Sequence, residues 1–148
     1  MATLRTTLDE IYAPVEAELK QFSELLKKEL HSDDSLIQAI HSHLLKMTGK
    51  FLRPALTLLC SKIGEKDAPY GVIRLAVAIE LIHTATLVHD DIIDDSTFRR
   101  NQPSIYSKWG REISIVSGDY LYAKSFMLLA GLKNPWVNEA FARCAHVI

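Results

Sequence analysis

The segment from Glu80 to Asp95 constrains this chain more than any other. An apolar stretch with helical patterning runs directly into four carboxylates, Asp90, Asp91, Asp94 and Asp95, within six residues. Acids one turn apart on a helix repel by roughly 0.2–0.5 kcal/mol per pair, and the C-terminal end of the macrodipole disfavours anions as well. Such a placement calls for something cationic. At 100° per residue Asp90 and Asp94 stack on one face, with Asp91 and Asp95 about a quarter-turn round. Two oxygen ligands a turn apart suit a hard divalent ion, and Mg²⁺ is commonly held by one or two carboxylates together with waters and substrate phosphates. The pattern therefore reads as a metal-and-phosphate site, with Asp90 and Asp94 as metal ligands. An acidic, solvated helix end is the alternative.

Neighbouring residues favour the first reading. His83 precedes Asp90 by seven residues and so falls within about 20° of the same face. Arg99 and Arg100 follow the acids, and Gly49-Lys50-Phe51-Leu52-Arg53-Pro54 places two cations three residues apart. A helix beginning near Phe51 sets Lys50 and Arg53 at its N-terminus, where cations are disfavoured unless an anion is bound and free N–H groups help to hold that anion. In a chain of net charge −1, four acids and four bases gathered around a short span match the need to bind two diphosphates. One would be held through bridging metal and one directly by Lys and Arg.

These residues resemble the trans-isoprenyl diphosphate synthases, the polyprenyl synthetase family. Asp90-Asp91-Ile92-Ile93-Asp94 is similar to the family's first aspartate-rich motif, Arg99-Arg100 to the arginine pair after it, and Gly49 to Pro54 to its N-terminal signature. Two positions depart from the pattern. Asn101 stands where Gly usually follows the arginines, and Thr48 stands where a second Gly usually precedes Gly49.

The resemblance implies an all-α helical bundle of the isoprenoid synthase type, of which residues 1–148 form a single N-terminal part. It implies head-to-tail condensation of isopentenyl diphosphate with an allylic prenyl diphosphate, using Mg²⁺. Asp90, Asp91, Asp94 and Arg99 are implied as catalytic, with Asp95 in support, and Lys50, Arg53, His83, Arg99 and Arg100 as substrate-binding. Ala85 and Thr86, a turn below Asp90, imply an open chain-length pocket and a long, octaprenyl-like product, with Phe51 as another candidate wall. The family carries a second aspartate-rich motif downstream, and nothing after residue 100 supplies one. A truncated or split enzyme is therefore expected, inactive alone, as a homodimer or with its C-terminal half elsewhere. A terpene cyclase or head-to-head condensing enzyme, and a non-catalytic subunit of a heteromeric synthase, remain as alternatives.

With 148 residues, 48% hydrophobic and 24% charged, the chain suffices for one core. Near-neutral charge argues against nucleic acid. Arg74 and Glu80 interrupt the most apolar run, so no membrane span is expected, and the start lacks the plan of a secretory signal, which suggests the cytoplasm. Cys60 and Cys144 lack metal-site spacing and read as buried small hydrophobes in a reducing compartment.

Periodicity predicts helices over about 7–30 with a kink at Pro14, one carried by Leu36 to Leu45 after turn and cap residues 31–34 and stopping near Gly49, one from near Phe51 to Gly64, and one from Val72 to Asp95. A loop follows, then a short helix over 104–109, a long one up to Gly131, and a last one opened by Asn134-Pro135. Among the remaining polar residues, Lys46 and Lys62 read as solvated and His89 as structural. Asp119 and Lys124 read as internal or interface pairs, and His41, His43 and His146 form no ligand pattern.

Overall fold

The computed structural model describes residues 7–47, 49–63 and 70–147. The order is α1 (Leu8–Tyr12), a 3-10 turn (Ala13–Val15), α2 (Glu16–Glu29), α3 (Ser35–Lys46), α4 (Leu52–Ser61) and α5 (Tyr70–Ile93). A two-stranded ribbon, β1 (Phe98–Arg99) and β2 (Gln102–Pro103), leads into α6 (Ile105–Trp109), α7 (Arg111–Ala130) and α8 (Pro135–Val147). The fold is all-α, the ribbon being a turn-sized addition.

Helix starts follow local chemistry. Thr7 and Glu10 form a reciprocal capping box, Asp34 accepts from the Leu36 and Ile37 amides, and Ser104 accepts from the Ser107 amide. Pro14 sits in the 3-10 turn that divides the first expected helix. Two ends come earlier than expected. α3 closes at Met47 rather than Gly49, and α5 at Ile93 rather than Asp95. The expected stop at Gly64 lies outside the described residues.

α5 is the axis, packed by α2, α4, α6 and α7. Ile73, Ala76, Val77, Ala78, Leu81, Ile82, Ala85, Val88 and Ile92 are all buried, so nearly every side of the helix is covered along much of its length. Fully burying a side chain such as Leu81 contributes about 2 kcal/mol. α7 approaches closely because Gly118 faces the His89 ring, and a Cβ there would overlap the imidazole.

Three sequence expectations are corrected. The helix Gly71–Ile93, of mean hydropathy 1.7, is long and apolar enough to cross a membrane despite Arg74 and Glu80. Half of its most apolar window is buried within the protein, the property of a surrounded core helix. Cys60 and Cys144 are exposed free thiols rather than buried hydrophobes. Lys62 is not simply solvated: its Nζ lies 2.7 Å from Glu18 and donates to the Pro14 carbonyl at 2.8 Å. That hydrogen bond from Lys62 holds the Glu18 carboxyl below its usual range. Lys124 pairs with Glu29 at 3.1 Å, the internal pairing expected of it.

Candidate functional site

The acidic end of α5 sorts its four carboxylates into two kinds. The Asp94 amide still bonds to the Asp90 carbonyl at 2.8 Å, so these two residues remain one helical turn apart. Asp95 then turns left-handed (φ 49°), and the Ser96 amide reaches the Asp91 carbonyl at 2.9 Å, the six-to-one bond of a Schellman ending.

Asp91 is only 2% exposed, and its Oδ1 receives Arg99 Nε at 2.8 Å and Nη2 at 2.7 Å. This bond raises the Arg99 pKa, with Asp90 and Asp94 adding smaller attractions. Asp95 accepts from the Tyr106 hydroxyl at 3.1 Å and lies 3.9 Å from Arg111. Asp90 and Asp94 are exposed, and neither side chain is engaged by a hydrogen bond or ion pair from a described residue. Asp91 and Asp95, read from sequence as support for the metal pair, are thus held by protein partners.

The arginine pair rides on the ribbon. Phe98 pairs with Pro103 and Arg99 with Gln102, which leaves Arg100 (φ 50°) and Asn101 (φ 62°) as the two central turn residues. Two successive positive φ values are the signature of a type I′ turn, for which Asn is a favoured non-glycine residue. This accounts for Asn101 in place of the usual Gly. The Ser104 amide bonds to the Thr97 carbonyl and its hydroxyl to the Ser96 carbonyl, fixing the base of the ribbon.

The basic elements converge from the other side. Arg53, in the first turn of α4, places Nη1 3.0 Å from His83 Nε2. Guanidinium only donates, so Nε2 accepts and His83 is neutral with its proton on Nδ1. Burial, followed by the charges of Arg53, Arg100 and Arg99, lowers the His83 pKa, while Asp90 opposes the shift.

Arg100 donates to the Met47 carbonyl at 2.8 Å and lies over Gly49, where a Cβ would come within 2.6 Å of its guanidinium. A side chain at position 49 would therefore displace the flexible Arg100 guanidinium, and Gly49 is not held at a positive φ. Thr48 lies outside the described residues. Lys50 is exposed, and Phe51 after it adopts a left-handed conformation with its ring edge against Phe22 at 5.1 Å.

One participant was missed in the sequence reading. Glu80 is 7% exposed and lines a narrow cleft with His83, Asp91, Arg99 and Arg100. Burial pushes its carboxyl up, against the pull of Arg53 and Arg100. The available signal was a lone acid on an apolar helix one turn before His83.

Beyond Arg53 and His83 opens a hollow of about 550 Å³ whose other walls are apolar, from Leu75, Ile79 and Ile82 of α5 and Trp136, Val137 and Phe141 of α8. Thr86 lines it, with its hydroxyl satisfied by the His83 carbonyl at 2.8 Å. Ala85 does not line it: that residue is buried in the core, because it points about 100° away from Thr86. Phe51 is likewise absent from this wall, its ring being packed against Phe22. Among the described residues no three His, Cys, Asp or Glu side chains form a metal cluster. A Mg²⁺ ion that takes only one or two carboxylates, with water and phosphate completing its shell, fits the free pair Asp90 and Asp94.

Comparison with known proteins gives the same outline. The chain is 37% identical to the heptaprenyl diphosphate synthase component 2 of Geobacillus stearothermophilus, over 92% of its own length and 42% of that protein's. It is 34% identical to an all-trans-nonaprenyl-diphosphate synthase (geranyl-diphosphate specific) of Rhodobacter capsulatus, over 90% of its own length and 41% of that protein's. Among solved structures, a polyprenyl synthase from Caulobacter crescentus, complexed with calcium and isoprenyl diphosphate, superposes with a TM-score of 0.90. That match has 32% identity and covers 99% of this chain and 44% of the other. The chain thus spans less than half the length of these relatives. A family model described as polyprenyl synthetase matches residues 34–148, and the chain belongs to that family.

Proposed function

We propose that this chain forms part of a trans-polyprenyl diphosphate synthase that condenses isopentenyl diphosphate head-to-tail with an allylic diphosphate to make a long-chain product. The observation that carries the reading is the pairing of Arg53 with His83 at the mouth of a large apolar hollow, beside two unengaged carboxylates. Asp90 and Asp94 would hold Mg²⁺. When bound, the ion neutralises charge that develops on the departing diphosphate.

The remaining roles belong to the chain itself. Lys50, Arg53 and Arg100 bind the diphosphate of isopentenyl diphosphate, and neutral His83 aims the Arg53 guanidinium. Arg99, anchored on Asp91, keeps positive charge beside the free acids. The apolar walls receive the prenyl tail and exclude water from the cationic carbon formed on ionisation. Thr86 leaves the tail room to extend inward, which favours a long product.

Both candidate metal-binding carboxylates stand on one helix end, so any protein ligand beyond them would come from another segment or chain. We propose that such ligands come from outside residues 1–148: a second copy, a separate chain, or further sequence of the same chain. The name of the Geobacillus relative, a synthase component, favours the second arrangement for that protein.

The test is calorimetric titration of the chain with isopentenyl diphosphate, and with farnesyl diphosphate with and without Mg²⁺. Arg53→Ala should abolish the first binding, and Asp90→Asn should remove the Mg²⁺ dependence of the second. Elongation of farnesyl diphosphate by a monomeric sample of residues 1–148 would contradict the need for outside ligands.

A further inference from the structure

We propose that Tyr12 and His43 are positioning residues for diphosphate binding, their bonds to the Lys50 and Pro103 carbonyls locking the basic loop and the arginine ribbon into one preassembled anion grip. The inference rests on the reading of Lys50, Arg53 and Arg100 as that grip. Neither Tyr12 nor His43 is placed to touch the anion.

Three side-chain-to-carbonyl bonds tie the parts together, each across a long stretch of sequence. From α1, the Tyr12 hydroxyl donates to the Lys50 carbonyl at 2.8 Å. From α3, His43 Nε2 lies 2.7 Å from the Pro103 carbonyl, at the end of the ribbon that carries both arginines. From the ribbon, Arg100 returns to the Met47 carbonyl, four residues after His43. A carbonyl only accepts, so His43 carries its proton on Nε2. His43 is 6% exposed, and its ring stands edge-on to Trp109 at 5.2 Å, which fixes the imidazole plane.

The ties matter because of where they act. The ribbon is two residues per strand, and the loop before α4 includes the left-handed Phe51. Elements this small have little burial to order them, and any ordering left to the moment of binding is subtracted from affinity. Bonds that hold both loops to α1 and α3 beforehand move that cost into folding. Tyr12 and His43 are well suited to this role, since each reaches a backbone atom and leaves the charged side chains free for ligand.

Inorganic pyrophosphate and isopentenyl diphosphate are titrated calorimetrically into the full chain and into Tyr12→Phe, His43→Leu, His43→Gln and Arg53→Ala, with thermal unfolding measured alongside. Tyr12→Phe and His43→Leu should each weaken binding by about three- to tenfold, the worth of one hydrogen bond, with the unfolding midpoint nearly unchanged for Tyr12→Phe. His43→Gln keeps a donor and should recover most of the affinity. Unchanged affinity in Tyr12→Phe and His43→Leu, with binding lost in Arg53→Ala, overturns the positioning role and leaves the site intact. Wild-type binding by Arg53→Ala overturns both. A loss not rescued by His43→Gln, or one that tracks the unfolding midpoint, assigns His43 to the fold and overturns its part. Should His43→Leu not fold, Tyr12→Phe decides the question, because it removes a single hydroxyl.

Discussion

The acidic end of α5 and the basic junction between α3 and α4 both bring charge to bear on His83, yet they are built differently. Asp90 and Asp91 stand on a regular helix, and Asp94 keeps one turn's spacing from Asp90 through its amide bond to the Asp90 carbonyl. Lys50 precedes the left-handed Phe51, Arg53 stands just after it in the first turn of α4, and Arg99 and Arg100 ride on a ribbon of two residues per strand, an arrangement tied by bonds to α1 and α3. A helix end supplies rigidity without help, whereas the loops must import it. The same contrast divides the charged groups themselves: Asp91 is buried and committed to one partner, whereas Lys50 and Arg53 remain exposed.

The largest expected effect tests that division. Arg99→Leu leaves the Asp91 carboxylate buried without its partner and should destabilise the fold by about 3 kcal/mol or more. Arg53→Leu removes an exposed cation paired, among the described residues, only with neutral His83, and should cost less than about 1 kcal/mol while abolishing diphosphate binding. Urea denaturation of both variants reads the difference. Equal losses would erase the distinction between a structural and a ligand-directed arginine.

How far the sequence reveals each region follows from the same contrast. The helix order, the surrounded character of α5 and the shared turn of Asp90 and Asp94 were all legible, because they depend on local period. The Asp91–Arg99 pair, the Glu18–Lys62 pair and the Tyr12 contact to Lys50 were not, because each joins residues that no periodicity relates. Asn101 is an intermediate case. A departure from the family pattern in sequence, it is explained once the turn's two positive φ values are known. Asn101→Val forces a β-branched side chain into that conformation and should cost about 1–2 kcal/mol, whereas Asn101→Gly should change stability by less than about 0.5 kcal/mol. Comparable losses in the two variants would mean the ribbon does not depend on this turn.

Acidification distinguishes the regions again. Burial lowers the pKa of His41 most, with the Leu30 carbonyl opposing it, and burial likewise lowers that of His83. A depressed folded pKa means the unfolded chain binds the extra proton first. The stability contributed is therefore complete above the ordinary value of 6.5 and is lost as pH falls toward the folded pKa. Glu80 acts with the opposite sign, since its raised pKa gives stability below 4.5 that is lost as pH rises through its folded value. Thermal midpoints should fall as pH drops just below 6.5, and His41→Gln should flatten the decline. A wild-type profile level from pH 7 to 5.5 would contradict the burial of neutral imidazoles.

The smallest effect has the most diagnostic sign. Asp90 and Asp94 repel each other and face the negative end of the α5 dipole, and the smaller attraction each has for Arg99, which is already bonded to Asp91, offsets only part of that cost. Asp90→Asn or Asp94→Asn should therefore stabilise the ligand-free chain by roughly 0.2–0.5 kcal/mol. Asp91→Asn, which weakens a buried charge pair, should destabilise it. Residues retained for folding do not improve the fold when neutralised. Opposite signs within one acidic motif would thus separate carboxylates kept for a ligand from those kept for the structure, and added Mg²⁺ should reverse the sign at Asp90 and Asp94 alone, because only their charge is available to bind it. Destabilisation by Asp90→Asn without metal would place that residue with Asp91 and leave Asp94 as the one acid free for an ion.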